Sequence, residues 1–460
     1  MNFVYNNLGG EYMKKNTREA ALKILIEINE KGAYSNIALN KYIKLDTNKL
    51  DENLTRGIVY GVLENRIYLD WTISKFSKIK IKKIAPIILE ILRIGVYQII
   101  FMERIPDSAA VNESVKLAKK YSHKGAVGYV NGVLRNIARN KEEIDNINIK
   151  DKLEYISIKY SHPKWMVRRW IEDFGEEFTL KLCKANNEKP KLNIRTNTLK
   201  TDRKTLKKSL EGKGYSILET KYALDGLIVE NPYRITDIDE FKNGLFTIQD
   251  ESSMLVSQIM NPKKNSTIID ICSAPGGKTT HMAQHMEDEG SIIARDIYDH
   301  KLKLIKNNSS RLGINIIKTE LFDALNIDEK LLSKADYILV DAPCSGLGLI
   351  RRRPEIKWNR KEEDIQEIKE TQYKILKNGS KYLKPGGILV YSTCTIEREE
   401  NINIIREFIS ENDSFELLSF KSLLKFEEGF ETAKDGYIEL FPHIHGTDGF
   451  FIAKLLKKNE

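Results

Sequence analysis

Two of the four cysteines in this 460-residue chain stand in short motifs fifty positions apart. Cys344 lies in Asp341–Gly346, which reads Asp-Ala-Pro-Cys-Ser-Gly, and Cys394 lies in Ser392–Thr395, which reads Ser-Thr-Cys-Thr. Each motif follows an apolar run typical of a strand, so both thiols are expected where a strand ends. A lone cysteine is usually a small buried apolar residue. Two at matched strand ends indicate thiol chemistry, in which a thiolate attacks an electrophilic carbon.

Carbon C5 of cytosine is a centre that such chemistry activates. C5 is a poor nucleophile until a thiolate adds to C6, which pushes electron density onto C5 so that it attacks a methyl donor. A free thiol has a pKa of about 8.5, so the surroundings must lower that pKa or a base must take the proton. Asp341 is suited to hydrogen-bond the ring nitrogen or the amino group of the base. The spacing leaves open which of the two cysteines attacks.

A glycine-containing loop, Asp270–Thr279, precedes both motifs and reads Asp-Ile-Cys-Ser-Ala-Pro-Gly-Gly-Lys-Thr. Its glycines let the backbone approach a ligand, and amides at the start of the following helix favour an anion. The end of the loop matches a P-loop, but that motif needs glycine where Cys272 stands, so an NTPase is disfavoured. The glycine pattern of a dinucleotide-binding Rossmann loop is also absent.

Acidic residues follow successive predicted strands. Asp270 ends the first strand, Asp296 ends the second, and Asp323 follows the third. In nucleoside-binding folds an acid after the second strand holds ribose hydroxyls, and an acid after the third suits an adenine amino group. Three such positions predict a ligand with a carboxylate, a ribose and an adenine, and S-adenosylmethionine is such a ligand.

The elements that must position these motifs alternate strand, loop and helix from Phe246 onward. This rhythm predicts an α/β fold with a parallel, doubly wound sheet and its ligand at the carboxyl ends of the strands. The predicted strands are Thr267–Ile271, Ser291–Arg295, Ile314–Lys318, Tyr337–Val340, Gly387–Tyr391 and Phe450–Leu455.

The first 140 residues have a helical period, as in Val127, Val130, Leu134 and Ile137, and predict an all-helical domain. After a polar connector, a small α+β module is expected. Its predicted strands are Leu192–Leu199, Tyr215–Glu219 and Leu227–Val229.

The net charge of +9 lies entirely in the first third of the chain. Residues 1–150 hold 25 Lys and Arg against 16 Asp and Glu, and residues 151–460 hold 49 of each. Such an excess attracts a phosphate backbone without sequence preference. A solvated lysine-rich surface explains it equally well.

Cellular location is predicted from what the chain lacks. Met1–Met13 has no basic start followed by an apolar stretch, so no secretory signal is expected. The longest apolar run, Ala85–Met102, contains Glu90 and Arg93 and falls short of a membrane span. The cysteines lack the paired spacing of a zinc site. We therefore expect a cytoplasmic protein with reduced thiols, no membrane contact and no metal.

Taken together, the three motifs resemble the RNA cytosine-5 methyltransferase family. The basic run Arg351–Trp358 is similar to that of its bacterial 16S rRNA branch, the RsmB (Sun/Fmu) family. Residues 14–142 resemble the NusB-like helical RNA-binding domain of that branch. The resemblance implies three domains: residues 14–142, a small α+β RNA-binding or linker module at 150–245, and a Rossmann-like class I methyltransferase domain at 246–460.

The resemblance also implies roles for single residues. Cys394 would be the nucleophile, Cys344 would help to expel the finished base, and Asp341 would lie near both base and cofactor. The residues implied in binding S-adenosylmethionine are Cys272, Ser273, Ala274, Pro275, Gly276, Gly277, Lys278, Asp296, Asp323 and Asp341. The residues predicted to bind RNA are Arg351, Arg352, Arg353, Lys357 and Trp358, with Arg195 and Asn197 as weaker candidates.

The implied activity is methyl transfer from S-adenosylmethionine to C5 of a specific cytosine in 16S rRNA through a covalent adduct between cysteine and C6. The target base must be unstacked, and the expected partner is 16S rRNA that is free or in early assembly, bound by a monomer. The alternatives are the same chemistry on tRNA or another rRNA, and a non-catalytic RNA-binding protein. Two intact cysteine motifs argue against the non-catalytic alternative.

Overall fold

The computed structural model describes residues 17–43, 48–144, 147–425 and 429–459. The chain forms two compact units. The first contains the residues up to Asn187 together with Arg353–Arg360, and the second contains Glu188–Arg352 and Lys361–Glu460. The first unit extends past residue 150, because three further helices lie between that position and Asn187; the domain bounds 14–142, 150–245 and 246–460 stay predictions. Residues 14–16 of the first predicted domain lie outside the described part.

All the regular secondary structure in the described residues of the first unit is helical, as predicted. Its helices are α1 Thr17–Lys31, α2 Ser35–Tyr42, α3 Lys49–Glu64, α4 Arg66–Phe76, α5 Pro86–Phe101, α6 Asp107–Tyr121, α7 Lys124–Arg139, α8 Lys141–Ile144, α9 Lys152–Lys159, α10 Lys164–Phe174 and α11 Glu176–Asn186, with Ile356–Asn359, α17 in chain order.

Helix α5 is the centre of this unit. Pro86 occupies its first turn, where a missing amide hydrogen is harmless, and the helix packs against α1, α4, α6 and α7. Arg93 in α5 pairs with Glu90 and, at 2.6 Å, with Asp70, so the positive charge of its guanidinium is balanced inside the unit. None of the helices in the described ranges is long and apolar enough to cross a membrane.

The second unit begins with the predicted α+β module and continues into a larger sheet. In chain order its elements are β1 Leu192–Thr196, α12 Arg203–Gly212, β2 Ile217–Glu219, β3 Gly226–Val229, α13 Asp239–Lys242, β4 Phe246–Ile248, α14 Glu251–Met260, β5 Ser266–Asp270, α15 Gly277–His285, β6 Gly290–Asp296, α16 Asp299–Leu312, β7 Ile317–Leu321, β8 Ala335–Asp341, α18 Asp364–Ser380, β9 Leu383–Thr393, α19 Ile402–Glu411, β10 Phe415–Leu417, β11 Tyr437–Leu440, α20 Pro442–His445 and β12 Phe450–Lys457.

The small sheet has the order β2-β3-β1-β4 and is antiparallel. The larger sheet has the order β10-β12-β9-β8-β5-β6-β7, and β11 pairs with β12. Strands β5 to β9 are parallel, which confirms the doubly wound α/β fold.

The prediction of a wholly parallel sheet is wrong for the last strand. β12 runs antiparallel to both β9 and β11. The connection from β11 to β12 holds only α20 and a few further residues, and so short a connection favours antiparallel pairing. The short strands β10 and β11 and the strand β4 were not predicted.

The predicted third strand is displaced by three residues. The Asp288 carboxylate accepts hydrogen bonds from the amides of Asn315 and Ile316, which draws them into the loop before β7.

Because strands β5 to β9 run parallel, their carboxyl ends form one edge of the sheet, in the order β9, β8, β5, β6 and β7. The predicted motifs follow these strands.

Candidate active site

The two predicted cysteine thiols lie next to each other. The Sγ atoms of Cys344 and Cys394 are 3.1 Å apart, and both residues are half-buried. Strand register brings them together, because Asp341 at the end of β8 lies opposite Ser392 near the end of β9. The hydrogen bond with Cys394, burial and the charge of Glu400 raise the pKa of Cys344 well above that of a free thiol.

Backbone contacts hold the two cysteine loops together. The amide of Gly348 donates to the carbonyl oxygen of Cys394 at 3.0 Å, and the amide of Gly449 donates to the carbonyl oxygen of Gly348 at 2.9 Å. A Cβ atom at position 348 would lie 1.9 Å from the carbonyl oxygen of Gly449. Glycine at 348 is therefore required for this approach.

The Asp341 carboxylate is fixed on both sides. Lys278 Nζ donates to Oδ2 at 2.5 Å, and Ser392 Oγ donates to Oδ1 at 2.9 Å. The Lys278 ammonium also lies 5.0 Å from the ring centroid of Phe450. Lys278, predicted as a cofactor residue, thus links the glycine loop to the first cysteine motif.

Asp270 organises the start of the glycine loop. Its side chain is fully buried and accepts a hydrogen bond from Thr279 Oγ1 at 2.6 Å. Its second oxygen has no hydrogen-bond partner. Burial, together with the negative charges of Asp341 and Asp296, raises the pKa of Asp270 to about 7.

The remaining loop residues are held in one conformation. The amide and the hydroxyl of Ser273 both donate to the carbonyl oxygen of Arg295, at 2.9 and 2.8 Å. Gly276 has a φ of +96°, in the left-handed region that favours glycine. Burial raises the pKa of Cys272, so this thiol stays protonated and can only line the site. Ala274 is half-buried and Pro275 is exposed, so both lie at the surface of the loop.

The other predicted acids stand at the neighbouring strand ends. Asp296, at the end of β6, is buried, accepts a hydrogen bond from the Tyr298 amide at 3.2 Å and lies 3.6 Å from Lys301 Nζ. Asp323, after β7, is exposed and accepts from the Leu325 amide at 2.9 Å. Sheet order places Asp270, Asp296 and Asp323 after three adjacent strands.

Arg195 and Asn197 support the site from the small module instead of facing solvent. Arg195 is fully buried, and its guanidinium donates to the carbonyl oxygen of Gly277 at 2.5 Å and to Thr280 Oγ1 at 2.9 Å. Asn197 is also buried and donates to the carbonyl oxygens of Gly244 and Leu312. The predicted RNA contact does not match this placement, because neither side chain reaches the surface.

Two arginines of the basic run, Arg351 and Arg352, are engaged with the protein. Arg351 is 7% exposed and donates to the backbone carbonyls of Gly446 and Thr447. Arg352 forms ion pairs with Asp250 and Asp448. These contacts hold the chain just after the first cysteine motif and engage both guanidinium groups with the protein, although Arg352 stays partly exposed.

Lys357 and Trp358 are likewise committed, within the helical unit. Lys357 is 1% exposed, its Nζ donates to the carbonyl oxygen of Glu64 at 2.8 Å, and burial lowers its pKa to about 7. The indole of Trp358 donates to the carbonyl oxygen of Leu63 at 2.9 Å. Of the five residues predicted to bind RNA, Arg353 is exposed, with its guanidinium 5.9 Å from the Tyr34 ring.

One group in the described part of the chain has the composition of a metal site: Asp225, His281 and His285, with ligand atoms within 4.8 Å of one another. Ligands around a tetrahedral zinc ion lie about 3.4 Å apart. Burial and then the positive charge of Arg195 lower the pKa of His281 to about 3. Within the group, His281 Nε2 lies 3.3 Å from Asp225 Oδ2, a spacing that a zinc ion allows, whereas the nearby charge of Arg195 is unfavourable to a cation.

Several supporting residues were not predicted. Glu400 and Gln372 lie behind the cysteine loops and are fully buried. Glu400 stands in an acidic stretch, Glu397–Glu400, whose composition predicts a solvated surface. Its only sequence signal is its place six residues after Cys394.

Three family descriptions match consecutive parts of the chain. Residues 257–456 match 16S rRNA methyltransferase RsmB/F, residues 15–139 match the NusB family, and residues 162–236 match the ferredoxin-like domain of RsmF/B-like methyltransferases.

Known proteins resemble the chain over most of its length. A relative from Bacillus subtilis (strain 168), called probable ribosomal RNA small subunit methyltransferase B, is 40% identical over 97% of this chain and 99% of its own. The crystal structure of PH0851 is 27% identical, with a TM-score of 0.80 over 97% of this chain and all of its own. NSun6 from Pyrococcus horikoshii with SFG is 27% identical, with a TM-score of 0.58 over 65% of this chain and 99% of its own. The chain belongs to the RsmB/F family of 16S rRNA methyltransferases.

Proposed function

We propose that this rRNA small subunit methyltransferase makes 5-methylcytosine in 16S rRNA through a covalent adduct between Cys394 and C6 of the base. The observation that carries the proposal is the pair of thiols 3.1 Å apart, beside the Asp341 carboxylate. Family membership and the name of the Bacillus subtilis relative support the choice of small-subunit rRNA.

The carboxyl edge of the sheet fits S-adenosylmethionine as the methyl donor. Acids follow the adjacent strands β5, β6 and β7, and the glycine loop opens α15. The residues that would hold the cofactor are Cys272 to Lys278, Asp296, Asp323 and Asp341. When bound, it supplies an electrophilic methyl group. The solved structure of NSun6 with SFG, which resembles this chain, supports the view that this fold binds a small ligand.

The two thiols divide the chemistry of the base. The thiolate of Cys394 adds to C6, which makes C5 nucleophilic so that it takes the methyl group. A base then takes the C5 proton, the electrons of that C–H bond re-form the C5–C6 double bond, and the thiolate of Cys394 leaves C6. Cys344, adjacent to the departing sulfur, assists this release. Asp341, oriented by Lys278 and Ser392, accepts a hydrogen bond from the amino group of the base.

The helical unit supplies general attraction to RNA. Its match to the NusB family and the positive charge of the first 150 residues support this role. The target base must leave its stack to enter the site. Free or early-assembly 16S rRNA is therefore a better substrate than the mature subunit, and a monomer suffices.

Transfer of labelled methyl groups to naked 16S rRNA, to small subunits and to tRNA tests the proposal. Wild-type protein is expected to label naked 16S rRNA at a cytosine C5. Label in tRNA with none in 16S rRNA would refute the substrate, and label at another atom would refute the chemistry.

Cysteine variants test the division of roles. Cys394→Ala is expected to transfer no methyl group, because no adduct forms. Cys344→Ala is expected to accumulate a covalent protein–RNA species, visible on a denaturing gel. Cys183→Ala, a fully buried cysteine of the helical unit, is the matched control and should behave as wild type. Near wild-type methylation by Cys394→Ala would show that another group attacks.

A further inference from the structure

A buried carboxylate lies directly behind the cysteine pair. Glu400 is fully buried in the second unit. Its Oε2 accepts hydrogen bonds from the amide of Ser345 at 2.8 Å and from Gln372 Nε2 at 3.0 Å. Gln372 also donates to the carbonyl oxygen of Pro343 at 2.9 Å. The peptides on both sides of Cys344 are thus tied to this carboxylate.

The same carboxylate reaches the second cysteine loop. Its Oε1 accepts a hydrogen bond from Thr395 Oγ1 at 3.4 Å, and the hydroxyls of Thr395 and Ser345 are 2.8 Å apart. The Tyr391 hydroxyl donates to the Glu400 carbonyl oxygen at 2.7 Å, which fixes the backbone of Glu400 against β9. Ser345 follows Cys344 and Thr395 follows Cys394, so one side chain joins the residues after both thiols.

The charge of Glu400 also affects the Cys344 thiol. A negative charge in a buried site disfavours a second one nearby. It adds to the hydrogen bond with Cys394 and to burial in raising the pKa of Cys344. The carboxylate therefore acts on Cys344 through its charge as well as through its hydrogen bonds.

We propose that Glu400 is a positioning residue of the methyl-transfer site, which sets the distance between the two thiols and places a carboxylate behind Cys344. The consequence for the reaction rests on the proposed function. The effects on the thiols themselves do not, and they are measurable on the protein without RNA.

Alkylation of Cys344 by iodoacetamide across a pH series tests whether the charge of Glu400 acts on this thiol. Glu400→Gln keeps the size and an acceptor oxygen for the Ser345 amide but removes the charge. The midpoint for Cys344 alkylation, followed by peptide mass spectrometry, is expected to shift to lower pH. Glu407→Gln removes a half-exposed charge from α19 and is the control, with no expected shift. A Glu400→Gln midpoint that coincides with wild type would overturn the proposal.

Capture by phenylarsine oxide tests whether Glu400 sets the distance between the sulfur atoms of Cys344 and Cys394. The reagent condenses with two adjacent thiols, forms two As–S bonds and releases water, so it requires both sulfurs close together. Wild type is expected to bind one equivalent through Cys344 and Cys394, and Glu400→Ala is expected to bind more weakly. Equal capture by folded Glu400→Ala would contradict the positioning role. If this variant does not fold, the alkylation profile of Glu400→Gln decides.

Methyl transfer is the third measurement. A misplacement of about 1 Å lowers kcat on the order of 10²-fold, and Glu400→Ala is expected to lose this much with KM for RNA unchanged. If wild-type protein methylates no RNA, the proposed function fails, while alkylation and arsenical capture still judge Glu400.

Discussion

Burial decides what individual site residues can do. Cys272 and Asp270 both stand in the glycine loop, and burial favours the neutral form of each side chain. The hydrogen bond with Cys394, together with burial, also raises the pKa of Cys344 and so favours its neutral form. The two residues of the glycine loop thus lie near the ion pair of Lys278 and Asp341. Of that pair, Asp341 is the residue that the proposed chemistry places at the target base.

Asp270 makes stability depend on pH in an unusual direction. An unfolded aspartate has a pKa of about 3.9, and the folded value is about 7. The folded state therefore binds the proton more tightly, so the contribution of Asp270 is fully present below the unfolded pKa and is lost as pH rises through 7. Asp270→Asn removes this dependence and keeps an acceptor for Thr279.

The free energy of unfolding, measured with urea at about pH 5 and about pH 8, checks this expectation. The stability of Asp270→Asn relative to wild type should increase from the lower to the higher pH. A difference that does not change with pH would show that Asp270 is already ionised in the folded protein.

Among the secondary-structure elements, parallel strands bring distant motifs to one edge. β8 and β9 deliver the two cysteine motifs, β5 delivers the glycine loop, and the loop before β12 closes against the first cysteine motif through Gly449 and Gly348. Strand β12, whose existence the sequence predicted but whose antiparallel direction it did not, thus takes part in forming the site.

Gly348→Ala tests this closure. The new Cβ would meet the Gly449 carbonyl oxygen and must move the cysteine loops apart. Methyl transfer is expected to fall on the order of 10²-fold. Gly212→Ala, near the end of α12, meets nothing within 4 Å and is the control. Equal activities of the two variants would mean that the loops do not need this contact.

At the scale of the whole chain, charge is divided between regions. The excess of +9 lies within the first 150 residues, and the rest is balanced. Lys80, Lys82 and Lys83 in the helical unit are exposed and lie close together in sequence. Exposed ammonium groups release counterions when they bind phosphates, so these lysines are expected to contribute to RNA affinity.

Replacement of Lys80, Lys82 and Lys83 by glutamine should weaken RNA binding and reduce the slope of affinity against salt by about 2. Filter binding across a salt series measures both. The control replaces Lys116, Lys152 and Lys181, which are paired with glutamates at 2.6, 2.5 and 2.7 Å. If the control weakens binding equally, net charge alone matters and the position of these lysines does not.

The sequence by itself determined the features that depend on short stretches: helical and strand periods, the α/β rhythm, and the positions of Cys344, Cys394 and the glycine loop at strand ends. Local residue order is sufficient for these. Only the tertiary structure decided which side chains pair with one another. Arg352 pairs with Asp250 and Asp448, about a hundred residues away in either direction, and Glu400 joins Ser345 to Thr395. A basic run and an acidic stretch look solvated in sequence, because burial and ion pairing arise only when distant segments meet.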